Sequence, residues 1–552
     1  MKHGDATRDP VERAFLAELE ALEQFRISYT SLHPAVPLAR EDPDVRRLIE
    51  ALALFTGRTR IAAERSVDNS FLTLFRQHFP NMLAPVPAMG LLRGEVTARY
   101  VDVVEIPRGA EVILSHRNAA DREQDFRFRT LAKLRILPIA LIGADMFRVK
   151  GKGYRLALRF ESPFPRNDDL GDISLHVNHL NDLTSSLTVL HELAKHLRGA
   201  SIVYEKQIRE DSQGQPVTVQ FGAPPAEEWE YESHEHPLHR ARTFFHFPYS
   251  ELFLTARGAK PPRNWQSFAL CLDLDESWPT NLRLSPHAFQ LHVVPMENIK
   301  KDMADPIECD GTQERWSVRH PDTAARFVPH SLLGVYRMTD DGLAPLEPAV
   351  LGAKTETYES VVEGTDEARK AWVVLNLPGA FDQPERVAVE AFWHQPGFAD
   401  VGIAELKARL TDRYVDGVTW TCESPTVAHS PSSLEDDREG LLQLLSIKNQ
   451  RFLGRDELVF LLRALGGESE KHFAKLVSAL SAVTVKSKPF ARRAGGFKYI
   501  YELQFDDLDG SDIPRLDVFG RRLLSLLTTW SVEEVVEITV IVPNLDKTFH
   551  YA

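Results

Sequence analysis

The sequence predicts an α+β multidomain chain: N-terminal helices, two β-rich, wing-like middle domains and a C-terminal α/β unit. Three observations lead there. At 552 residues the chain is too long for a single hydrophobic core, so several domains are expected. The first ~90 residues repeat apolar side chains at helical spacing, whereas beyond Gly90 short β-rich stretches alternate with turn residues. After the Ser-, Pro- and Asp-rich run Glu423 to Glu439, which reads as a linker, helix and strand patterns mix again. The expected units are 1–90, 91–225, 226–425 and 426–552.

The first helix starts at Asp9-Pro10-Val11-Glu12. There Asp can cap free amides, Pro fits the first turn and Glu stands three residues after the cap. Behind it Phe15, Leu19, Leu22 and Phe25 form one stripe. Asp42-Pro43-Asp44 repeats the device and is followed by Val45, Leu48, Ile49, Leu52 and Phe55. A third helix, around Ser70 to Phe79, carries Phe71, Leu72, Leu74 and Phe75 before Pro80, Pro85 and Pro87 forbid continuation.

Strands are expected at Glu95 to Tyr100, Ala110 to Leu114, Tyr154 to Phe160 and Ile173 to Val177, with Pro107-Arg108-Gly109 as a turn. A surface helix is expected at Thr184 to Leu197, and a long exposed loop at Asp211 to Glu230. Further strands follow at Phe268 to Leu274, Phe289 to Val294, Trp372 to Leu377 and Arg386 to Phe392. In the last unit Leu441 to Ile447, Glu457 to Leu465, Lys471 to Leu480 and Leu516 to Trp530 read as helices. Tyr499 to Phe505 and Val535 to Val542 read as strands.

The formal charge of −14 speaks against nucleic acid and against anionic lipid, both of which demand a basic footprint. Arg492, Arg493 and Lys498 read as a solvated loop. Cys271, Cys309 and Cys422 are far apart with no Cys-x-x-Cys pair, which suits a reducing compartment. Met1-Lys2-His3-Gly4-Asp5 lacks the apolar core of a secretory signal, and no run approaches the ~18 apolar residues that span a bilayer. A soluble cytoplasmic protein without membrane insertion is expected.

Motifs for chemistry are thin. In His191-Glu192-Leu193-Ala194-Lys195-His196 the second imidazole falls one residue late for the zinc-protease arrangement, turning it ~100° off the shared helical face. Leu187, Leu190, Leu193 and Leu197 would face inwards. His234, His236, His239 and His246 lie close in sequence but lack a carboxylate or cysteine at a metal spacing. Gly151-Lys152-Gly153 misses the third glycine of a dinucleotide turn. Asp506 to Asp512 does not fit a calcium loop and reads as a turn. No Gly-x-Ser-x-Gly elbow is present. The expectation is no catalytic residue, no metal and no cofactor.

What stands out is apolar, and here the sequence resembles a family. Asp42-Pro43-Asp44-Val45-Arg46-Arg47-Leu48-Ile49-Glu50-Ala51-Leu52-Ala53-Leu54-Phe55 resembles the Asp-Pro-x-Val-x-Arg-Leu-x-Glu block of TssF, also called ImpG or VasA. Ser70 to Phe75, His78-Phe79-Pro80 and Pro85-Val86-Pro87-Ala88-Met89 are similar to its next block. Pro107-Arg108-Gly109, Phe126 to Thr130, Pro138, Phe245-His246-Phe247-Pro248 and Phe289 to Asn298 follow in the family's order, and Phe519-Gly520 to Trp530 resembles its closing helix. The start departs, with Phe15-Leu16-Ala17-Glu18-Leu19 in place of a Tyr-rich block.

The resemblance implies a non-enzymatic wedge subunit of a type VI secretion baseplate, assembled beneath the inner membrane. Its expected partners are a TssG-like subunit and a second TssF copy, then TssE, TssK, hub, spike and sheath proteins, with support of sheath assembly and firing as the role. The expected contact surface is Phe15, Leu19, Leu22, Val45, Leu48, Ile49, Leu52, Phe55, Phe71, Leu74 and Phe75. Two alternatives remain: a wedge subunit of a related contractile phage tail or extracellular injection particle, and a metal-dependent hydrolase using the histidines between His234 and His246.

Overall fold

The computed structural model describes residues 10–33, 42–79, 82–117, 123–149, 151, 153–204, 208–209, 212–224, 237–349, 356–364, 368–401, 406–411, 415–434, 437–448, 450–468, 472–489, 497–531 and 535–552. It is an α+β multidomain protein with N-terminal helices, β-rich middle units and a C-terminal α/β unit.

Two helices, α1 (Pro10–Leu32) and α2 (Pro43–His78), form an antiparallel hairpin, since Arg60 of α2 reaches Glu18 of α1 at 2.8 Å and Gly57 lies against Ala14. Asp42 caps α2, its side chain accepting from the Asp44 amide at 2.9 Å, with Pro43 in the first turn. Asp9 lies outside the described residues. The second and third expected helices are one element of 36 residues. From Ile61 to Ser70 there is no glycine or proline, so once nucleated the helix has nothing to stop it. The hydroxyls of Thr56, Thr59 and Ser70, which could compete with the helix, bond back to carbonyls four residues earlier.

A six-stranded antiparallel sheet forms the centre. Its order is Lys407–Leu410, Glu111–Arg117, Glu123–Thr130, Val293–Glu297, Met89–Val96, Val418–Val427. The strand expected at Glu95 to Tyr100 thus lies earlier, where Leu91 and Leu92 are fully buried. A second unit stacks the five-stranded sheet containing Gly153–Arg166, Trp265–Leu274 and Leu197–Val203 with the four-stranded sheet containing Ile173–Val177 and Phe253–Arg257. Leu158, Phe160, Leu175, Leu254 and Leu270 share their core. A third unit, from Lys300 to His394, is a sandwich of two sheets around Val335, Val373, Val387 and Trp393.

The expected division at 225/226 does not separate units. Thr218–Phe221 pairs with Phe253–Arg257, and Ile202 stands opposite Leu270. The central sheet gathers strands from three distant stretches. Turn composition marks where a strand ends, but its partner is chosen by long-range packing. Phe289 to Val294 is likewise not one strand. His292, at φ 57°, breaks it into pieces that enter different sheets. The loop expected at Asp211 to Glu230 contains the strands Gln215–Pro216 and Thr218–Phe221, and its residues 225–230 lie outside those described.

The helix α3 (Leu183–His196) is no surface helix. Leu183 and Leu187 join the C-terminal core, while Val189, Leu190 and Leu193 join that of the second unit. The C-terminal unit places α4 (Pro237–His246) beside α5 (Arg438–Lys448), α6 (Arg455–Ala464), α7 (Ala474–Ala479) and α8 (Ile513–Trp530). These helices pack with a four-stranded sheet, Leu480–Pro489, Phe497–Phe505, Val535–Val542, Lys547–Tyr551. The two central strands are parallel, and α8 makes the crossover between them. Gly520 lies so close to the Tyr551 ring that a Cβ would stand 2.6 Å from it. Glu423 to Glu439 is no free linker either. Its first part continues the edge strand Val418–Val427, where Pro425 is tolerated.

Candidate interaction surface

The hairpin is held by small residues. Ala14 and Ala53 are its buried apolar side chains between residues 11 and 70. At Gly57 an added Cβ would sit 3.1 Å from the Phe15 amide nitrogen. The two backbones therefore approach closely at one end and leave larger side chains splayed outwards. Towards the other end, Leu19, Ile27, Val45 and Ile49, with Glu23, Arg26, Arg46 and Glu50, line a groove of about 470 Å³.

Along α2 the apolar residues divide into two stripes. Val45, Ile49, Ala53 and Gly57 recur every four residues towards α1. Leu48, Leu52 and Phe55 form the adjoining stripe and face outwards, with Leu48 62% and Phe55 69% exposed. Phe15, Leu19, Leu22, Val45, Ile49 and Phe71 are half-buried, and Leu74 is exposed.

Phe75 is the exception among the expected contact residues. It is completely buried in the chain's own C-terminal core, with its ring 5.2 Å from that of Phe79, which in turn stacks near Trp530. It roots the hairpin. Arg76 adds a hydrogen bond to the Ser360 carbonyl of the sandwich at 3.0 Å.

Leu16, Phe25, Ile27, Leu32, Leu54 and Val67 are also exposed and lie outside the expected contact residues. Their signal was legible: a helix with apolar residues on nearly every side is one that something surrounds. Ten of the twenty-one large apolar side chains exposed among the described residues sit on α1 and α2.

The candidate chemistry resolves into structural bonds. His191 meets Asp517 of α8 at 3.0 Å, while His196 meets Asp275 at 2.7 Å and Glu192 at 3.0 Å. The two imidazoles of the near-motif thus serve different units. Burial disfavours charge on Asp517, yet the hydrogen bond from His191 and the nearby Arg521 hold its carboxyl below the usual range. Among the described residues no three His, Cys, Asp or Glu side chains are placed to hold a metal. His234 and His236, like Arg492 and Arg493, lie outside those residues. Lys498 pairs with Glu537, and Lys475 with Asp509 in the acidic turn. No described helix is long and apolar enough to cross a membrane.

The fold is a set of β-rich units and a C-terminal α/β unit in which a two-helix projection with exposed apolar side chains is rooted. The chain belongs to the TssF family of the type VI secretion system, whose sequence profile matches residues 13–351. No curated protein matches the chain. Its fold is shared by a chain of the type VI secretion system TssK-TssF-TssG baseplate subcomplex solved by cryo-electron microscopy. That chain is 17% identical with a TM-score of 0.74, and the match covers 92% of this chain and 98% of the other. A chain of the baseplate complex from the type VI secretion system is 15% identical with a TM-score of 0.58, covering 98% of each.

Proposed function

We propose that this protein is a non-enzymatic wedge subunit of a type VI secretion baseplate. Its N-terminal hairpin bundles with a TssG-like subunit and a second copy of itself. The observation that carries this reading is the concentration of exposed apolar side chains on α1 and α2. Each large aliphatic or aromatic side chain left in water forgoes roughly 1.5–3 kcal/mol of burial, so a partner that covers the outer stripe gains several such terms. The neighbours' composition supports TssK as a further contact of the assembled wedge. TssE, hub, spike and sheath contacts, a cytoplasmic position beneath the inner membrane, and support of sheath assembly and firing complete the reading.

Leu48→Asp and Phe55→Asp test it. Both side chains are solvated in the free chain, so the variants keep the parent's fold and unfolding midpoint. Once a partner covers them, an unpaired carboxylate costs several kcal/mol. Co-purification of a TssG-like protein therefore drops at least about 100-fold. Undiminished co-purification of both folded variants would falsify the hairpin as the contact.

A further inference from the structure

Two segments connect the units. Residues 82–88 lead from the hairpin to the central sheet, and 428–434 lead from that sheet to the hub. They run side by side as a neck, with Val86 and Ser430 exchanging backbone hydrogen bonds at 2.7 and 2.8 Å. The carbonyls along the first segment are taken by different parts of the molecule. Ser432 donates to Met82 at 2.6 Å. Arg242 of α4 donates to Ala84 at 2.8 Å. His330 of the sandwich donates through Nε2 to Pro85 at 2.9 Å.

Beside His330 stands His394, at the end of the neighbouring sandwich strand. Its ring centroid is 5.8 Å from that of His330 and 5.7 Å from that of His429 on the second neck segment. His394 is 1% exposed, and neither ring nitrogen has a hydrogen-bond partner among the described residues.

Among the described groups, the fixed charge that acts on both rings is the Arg369 guanidinium. His394 faces His429 and Arg369. His330 faces His394, His239 of α4 and Arg369, and Arg242 lies one carbonyl away. Glu251 and Glu297 share the cavity of about 400 Å³ that His330 and His239 line, with Arg108, Arg129, Arg240 and Arg522. Each of those carboxylates is already held, Glu297 by Arg129 at 2.7 Å and Glu251 by Arg522.

We propose that the neck is a proton-sensitive joint: the sandwich stays seated on Met82 to Val86 only while His330 and His394 are neutral, and acid releases it locally. A proton on either ring would be buried beside the Arg369 guanidinium, and the carboxylates described in the adjoining cavity are already held by arginines. Burial pushes the His394 ring down to about 3, helped by His429 and Arg369. Burial, then His394 and His239, hold His330 well below its ordinary value. In the opened joint each ring accepts a proton near ~6.5. Opening is therefore unaffected above that pH and grows as pH falls below it, by up to tenfold per unit for each proton taken up.

Hydrogen exchange of the full-length protein between pH 7.5 and 5, corrected for intrinsic rates, reads this directly at the Val86 and Ser430 amides. The expected result is a steep rise in opening below pH 6.5, while the hub strand Val535–Val542 stays protected. In His394→Phe, with His394→Leu as a second replacement, the slope loses about one proton, close to tenfold per pH unit. Equal neck protection at pH 7.5 and 5 would overturn the joint. So would loss of neck and hub protection together in the wild type, or an unchanged slope in a folded variant.

Discussion

Helices α8 and α2 are both amphipathic, yet they spend their apolar faces differently. In 18 residues α8 buries ten, among them Leu516, Phe519, Leu523 and Leu527. In 36 residues α2 buries Ala53, Gly57 and Phe75 among those whose side chains are described. The hub helix is finished by its own chain. The hairpin is finished only at its root, where Phe75 and Phe79 enter the hub core. Burial, not the strength of the apolar pattern, thus separates a folding element from an assembly element.

The same kind of truncation should affect the two regions very differently. Phe473 is 1% exposed and packs 4.8 Å from Phe244 and 6.0 Å from Phe519. Phe473→Ala should destabilise the hub by about 3–5 kcal/mol, whereas Leu48→Ala should change stability by less than ~0.5 kcal/mol. Denaturant unfolding followed by hub and hairpin exchange reads both. Equal losses would mean that the hairpin carries its own core.

Acid should separate the regions next. Burial pushes the His176 and His292 rings down to about 4, in the β-rich units. Groups held neutral this way contribute stability that is fully present above ~6.5 and lost as pH falls towards 4, on the order of 3 kcal/mol each. The hairpin has no buried titratable side chain among its described residues. Exchange between pH 7 and 4 should loosen the sheets around His176 and His292 before α1 and α2; the reverse order would contradict the assignment.

The smallest expected effect lies at the hairpin crossing. Gly57→Leu drives a side chain into the backbone of Ala14 and Phe15 and should destabilise the pairing by roughly 1–3 kcal/mol. Faster exchange should be confined to α1 and the first half of α2. Unchanged exchange there would show that the two backbones do not meet.

Local signals were read well where local physics decides. Asp42-Pro43 sets a helix start with both its cap and its first-turn proline. Val535 to Val542 alternates and is a strand over that span. The closing helix reaches Trp530 as expected. The misreadings share one cause. The helix expected to begin separately near Ser70 is the continuation of α2. Pro425 looked like a linker and sits on a sheet edge. Thr184 to Leu197 reads as a surface helix and lies between two cores.

Capping, periodicity and ordered motifs act over a few residues, and so the α+β class, the helical start, most strand and helix positions and the family are all readable along the chain. Which strands share a sheet, the place of α3 between two cores, and the burial of Phe75 while Leu48 and Phe55 face water emerge from the folded molecule alone. Those outcomes depend on contacts between residues far apart in the chain, and a local apolar pattern has the same appearance whether its partner is the same molecule or another.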